Sequence, residues 1–130
     1  MPAGSFPRRL KYLFDQLSRV CEKHKPHCAS VEKVFFAHNV RSALQLGQAR
    51  GVILLSLMNY NCEIFEYSPL EVKSAVTGYG RADKSQLKRM VEMIVSADFP
   101  NSKFDLTDAL GLAITHAHVS GFHNKLQKQS

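Results

Sequence analysis

The 130 residues carry 17 Lys and Arg against 11 Asp and Glu, a formal charge of +6, with 45% hydrophobic and 22% charged residues. That length suits one domain over residues 1–130, and the apolar content excludes wholesale disorder. No apolar stretch is long enough to span a bilayer, the first nine residues hold no apolar signal region, and three cysteines cannot form a closed disulfide set. The expectation is a cytoplasmic protein with no membrane partner, whose basic excess permits a polyanionic ligand without identifying one.

Leu10, Leu13, Phe14, Leu17, Val20 and Cys21 follow helical spacing, and Pro26 closes that helix. Residues 29–36, rich in β-branched and aromatic side chains, predict a strand. Asn39 caps a long helix to about Met58, whose Gly47 and Gly51 each weaken it by about 1 kcal/mol and are best explained by another backbone packing against that face. Residues 62–67 alternate with period two as a second strand. Ser68-Pro69-Leu70-Glu71 is a capping box opening a short helix, and Gly78-Tyr79-Gly80 a loop. Asp83 with Gln86 starts a helix with Leu87, Met90, Val91 and Ile94 on one face. A final helix runs from Asp105 to about Gly121, burying Leu106, Ala109, Leu110, Ala113 and Ala117, and 122–130 is expected to be a frayed tail.

This alternation predicts an α/β fold with parallel strands and helical crossovers. Two strands alone leave both edges unpaired, and nothing in the chain is available to flank the outer side of 29–36.

Three carboxylates are candidates for metal-assisted chemistry. Glu32 sits among Val31, Val34 and Phe35, where a carboxylate is costly unless it faces solvent, is paired or binds a cation. Asp105 and Asp108, three apart, share one helix face within reach of one ion, or serve simply as N-cap and first-turn acids. Cys21, His24, His27 and Cys28 crowd into eight residues and invite a zinc reading, although Cys21 lies on the apolar stripe of its helix. Lys73, Arg81, Lys84, Lys88 and Arg89 cluster around the glycine loop, where close approach of a phosphate backbone competes with a plainly solvated face. Phe35 and Phe36 point to opposite sides, so both can be core, or one can be core while the other stacks on a base.

Taken together, residues 31–39, Ser42-Ala43-Leu44, residues 47–51, Glu66-Tyr67, Glu71-Val72-Lys73, Thr77-Gly78-Tyr79-Gly80 with Lys84, residues 105–110 and residues 113–116 resemble the RuvC-type Holliday-junction resolvases, in order and over nearly the whole chain. The resemblance implies an RNase H-like fold, here reduced to two parallel strands flanked by about five helices. It implies a structure-selective endonuclease acting in recombination and repair as a homodimer on four-way junction DNA, with dimer contacts on helix 39–58 and branch-migration helicase subunits as further partners. Its chemistry would be Mg2+-dependent phosphodiester hydrolysis, with Mn2+ as substitute and two ions in the full site. By position Glu32, Asp105 and Asp108 match the family's acidic metal site, Phe35 its stacking aromatic, and Lys73 and Lys84 its backbone-binding lysines.

The family pattern opens with a three-strand meander bearing an aspartate in a Gly-Ile-Asp-Pro-Gly-like motif. Residues 1–130 begin at the helix after it, and Asp15, inside the first helix, cannot substitute. The expectation is a resolvase lacking those strands, through a misplaced start or a truncation, that cleaves junctions poorly. The alternative is a non-catalytic junction-binding or dimerising remnant, against which the survival of all three carboxylates weighs.

Overall fold

A computed structural model describes residues 4–33, 38–98 and 104–129, the last eight by their backbone alone. Its elements are α1 (Phe6–His24), β1 (Cys28–Glu32), α2 (Val40–Asn59), β2 (Glu63–Tyr67), α3 (Pro69–Thr77), α4 (Lys84–Val95) and α5 (Phe104–Gln129). These are the two strands and five helices expected of the RNase H-like reading.

β1 and β2 form a two-stranded sheet. Glu63 N–H donates to the His27 carbonyl at 3.0 Å, and Lys33 N–H to the Tyr67 carbonyl at 2.9 Å. The paired positions rise together along both strands, so the sheet is parallel. That register sets Cys28 abreast of Glu63, Ser30 abreast of Phe65, and Glu32 abreast of Tyr67.

The chain divides into two units, with both divisions falling inside the strands. In the first, residues 1–29 and 34–64, α1 packs against α2. α1 starts with Pro7 in its first turn and ends at Lys25, whose left-handed backbone (φ 48°) lets its N–H reach the Cys21 carbonyl at 2.8 Å. Lys23 and His24 complement the negative end of the helix dipole. α2 starts where Asn39 accepts from Ser42 N–H at 2.8 Å. The close packing expected at Gly47 and Gly51 is not met among the described residues: a Cβ added at either finds no described atom within 4 Å.

In the second unit, residues 30–33 and 65–130, Tyr67, Val72, Val76, Leu87 and Val91 form the core, with Phe65, Met90, Leu110, Leu112 and Ile114 packed against them. Both predicted capping boxes are present. Ser68 accepts from Glu71 N–H while Glu71 accepts from Ser68 N–H, and Asp83 and Gln86 do the same. Leu87 and Val91 are buried as expected of α4, but Ile94 is exposed.

α5 departs from expectation in three ways. It begins at Phe104, so Asp105 lies inside its first turn and is not its N-cap, and it runs past Gly121 to Gln129. Its buried line is Thr107, Gly111 and Thr115, whereas Leu106, Ala109, Ala113 and Ala117 are exposed. The reason is close approach: a Cβ on Gly111 would meet Val72 Cγ1 at 3.0 Å, leaving no room there for a leucine-sized face. Thr115 is tolerated in this line because its hydroxyl donates back to the Gly111 carbonyl at 2.7 Å.

Candidate functional site

The second unit brings the acidic candidates onto related surfaces. Ser30 Oγ donates to the Leu112 carbonyl at 2.8 Å, so the Ser30 side of the sheet is the one α5 covers. Side chains two apart on a strand share a face, and half-buried Glu32 therefore points the same way. From β2, Phe65 stacks on His116 with centroids 4.1 Å apart, and Tyr67 Oη lies 2.7 Å from His116 Nδ1. Leu112 thus stands over β1 and His116 over β2.

Followed towards its N-terminus, α5 runs from His116 at β2 to Leu112 at β1 and on to Asp108 and Asp105. Asp108, one turn before Leu112, is half-buried, and Asp105, about two turns before it, is exposed. Both sit on the stripe that carries Leu112 and His116, at spacing i, i+3, i+7 and i+11. The side chains of Glu32, Asp105 and Asp108 nevertheless do not close on one point. Among the described residues no three His, Cys, Asp or Glu side chains are grouped to hold a metal ion. Carboxylate oxygens suit a hard cation such as Mg2+ or Mn2+, so the donor chemistry fits while the spacing leaves the set open.

The basic candidates occupy α3, the loop after it and α4. Arg81 and Lys84 are exposed, and Lys73 is half-buried. Lys84 Nζ sits 5.2 Å from the centre of the Phe104 ring, a cation–π contact that ties the start of α4 to the start of α5. Lys88 is half-buried and lies 3.9 Å from Glu92, which offsets part of its charge. Lys33, next to Glu32, lies 3.8 Å from Glu71. The Ser68 backbone N–H and then its hydroxyl hold the Glu71 carboxyl below its ordinary value of 4.5, with Lys33 adding to the effect. Phe35 and Phe36, expected to stack and to pack, lie outside the described residues.

Of the zinc candidates, Cys21 is buried while Cys28 is exposed. They belong with Cys62, whose thiol is pushed up by burial first and then by Cys21 and Cys28. Like the acids, they form no metal-holding group among the described residues.

His116 and Tyr67 were missed as site neighbours. Both fell within matched segments, but a hydrogen bond across 49 residues leaves no local spacing to read.

Comparison with known proteins bears on the same residues. Residues 1–116 match the family model described as crossover junction endodeoxyribonuclease RuvC. The chain is similar to the RuvC of Alkaliphilus oremlandii, 47% identical over 116 residues, covering 89% of this chain and 71% of that protein. It is also similar to the RuvC of Albidiferax ferrireducens, 48% identical over 118 residues, covering 90% of this chain and 64% of that one. Among solved structures it superposes on Thermus thermophilus RuvC (TM-score 0.84, 27% identity, 95% of this chain and 74% of that one). It superposes as well on T. thermophilus RuvC in complex with Holliday junction substrate (TM-score 0.85, 28% identity, 92% and 73%). The chain therefore spans about two thirds of the length of the curated relatives it matches.

Proposed function

The chain belongs to the RuvC family of crossover junction endodeoxyribonucleases, and on that premise we propose that it binds four-way DNA junctions and carries part of the machinery that cuts them. The observation that carries this reading is the placement of Glu32 on the sheet face covered by α5, the helix whose first turns hold Asp105 and Asp108. Those three carboxylates would hold the divalent cation, Mg2+ with Mn2+ as its substitute and two ions in the complete site. Bound there, the metal supplies charge neutralisation at the scissile phosphate and an activated water. Lys73, Arg81, Lys84 and Lys88 provide the cations that hold phosphates, and Phe35 is the proposed stacking residue.

Homodimerisation belongs to the same proposal. On α2, Val40, Leu44, Gly47, Gly51, Leu55 and Met58 line one exposed stripe at spacings of three and four. Among the described residues the two glycines have no atom within 4 Å of an added Cβ, which supports close approach by a second copy. Branch-migration helicase subunits are proposed as further partners on the family resemblance. Among the described residues no helix is long and apolar enough to cross a membrane. The free thiols of Cys21, Cys28 and Cys62 support a cytoplasmic setting.

The open spacing of the three carboxylates favours a second reading, a junction-binding module without chemistry. Both are tested by measuring binding and cleavage of a labelled four-way junction and a linear duplex of the same sequence, with Mg2+ and with chelator. The expected result is junction-selective binding with slow Mg2+-dependent cleavage that Glu32→Ala and Asp108→Asn abolish. Binding that ignores Mg2+ and Glu32→Ala, without any cleavage, selects the second reading. Equal affinity for duplex and junction refutes both.

A further inference from the structure

Tyr79 belongs to none of the residues assigned above, yet the fold presents it in an unusual way. It is a large aromatic side chain left 56% exposed, on the loop between α3 and α4. The loop is braced on every side. Tyr79 N–H donates to Thr77 Oγ1 at 3.0 Å, Thr77 Oγ1 donates to the Lys73 carbonyl at 2.6 Å, and Ala82 N–H donates to the Tyr79 carbonyl at 3.1 Å. Gly78 takes a left-handed backbone (φ 77°), and a Cβ on Gly80 would strike Leu70 Cδ1 at 2.7 Å. Gly78 is therefore required for this path, a side chain at Gly80 would have to displace exposed Leu70, and the path fixes the backbone of Tyr79.

Beside it lies a cavity of about 230 Å³ lined by Thr77, Tyr79, Ala82, Gln86, Arg89 and Met90. Its volume is below the range of about 300–1,000 Å³ usual for drug-sized ligands and suits one flat ring system. The lining supplies an aromatic face, an apolar thioether, a guanidinium and an amide carried on firm elements. Gln86 is held by its capping box, and Arg89 projects from α4. Lys73 lies on α3, Arg81 on the same loop as Tyr79 and Lys84 in the first turn of α4.

We infer that Tyr79 is a stacking platform for an unpaired nucleobase of the bound DNA, with Arg89 at the cavity contributing to the phosphate and base edge. Aromatic rings accept any base on their π-face, and a ring carried on a backbone braced before binding loses less entropy when it stacks. Arg89 at the cavity and the cations of the loop and its flanking helices deliver the strand, and the cavity accommodates a base that leaves its helix. A four-way junction offers such bases at its crossover, whereas a continuous duplex does not. This inference rests on the reading of the chain as a junction-binding protein.

The test titrates the 130-residue chain with a four-way junction carrying 2-aminopurine at the crossover, and with a linear duplex carrying it in the same sequence. Tyr79→Ala is expected to weaken junction binding roughly 10-fold or more and to remove the 2-aminopurine fluorescence change. Tyr79→Phe, which keeps the ring, is expected to retain both, and duplex affinity is expected to be the same in all three. Because no charge is removed, the salt dependence of Tyr79→Ala stays that of the parent, while Arg89→Gln reduces the slope by about one ion. Junction binding by the parent with no loss in Tyr79→Ala overturns the inference and leaves the junction reading intact. A parent that does not prefer the junction overturns the reading and the inference together.

Discussion

The Tyr67–His116 hydrogen bond ties α5 to β2, and Tyr67→Phe removes it with the smallest change in shape. The hydroxyl lies 2.7 Å from His116 Nδ1, and Tyr67 is only 6% exposed. Deleting one partner of such a pair costs about 1–3 kcal/mol, because the other is left half-buried and unpaired. For 130 residues the unfolding entropy near 60 °C is about 0.27 kcal/mol/K, so a loss of about 1.5 kcal/mol lowers Tm by about 5 °C. Calorimetry of Tyr67→Phe, His116→Leu and the double variant measures this. The double variant should be no less stable than either single one, since it leaves no orphaned group. The consequence reaches the acidic stripe. A rotation of α5 by 20° moves groups about 5–6 Å from its axis by about 2 Å, as much as a whole Mg–oxygen bond. A Tm unchanged within about 1 °C in Tyr67→Phe, or strictly additive losses, would refute the argument.

Three further outcomes follow from particular contacts. Ser68→Ala should cost about 1 kcal/mol of stability by chemical denaturation, because it removes the hydroxyl that opens α3. It should also flatten an acid transition. Glu71 titrates lower folded than unfolded, so its contribution is present above 4.5 and is lost as pH falls through the depressed folded value. Lys84→Ala should weaken DNA binding and reduce its salt slope by about one, whereas Lys88→Ala should change both less, since Glu92 already offsets that charge. Alkylation under native conditions should label exposed Cys28 first and leave Cys21 and Cys62, each 1% exposed, slow until the protein unfolds. Equal rates at all three thiols would contradict that packing.

The starts of the helices were legible because their causes are local. Asn39, Ser68 and Asp83 each bond a backbone N–H three residues on, and such pairs can be read from a string of letters. The two strands follow from the same short-range patterns. The face of α5 did not. Its leucines and alanines fit a helical period, but the distance to Val72 selected Gly111 and the two threonines for the inside.

The identity of the acids and cations, and their order along the chain, are thus properties of the sequence itself, because side-chain chemistry and helix capping act within a few residues. The face that α5 turns to the sheet, the bond between Tyr67 and His116, and the lack of a metal-holding group among the described acids were decided only by the tertiary structure. They depend on which distant surfaces pack at van der Waals distance, and no local spacing encodes that.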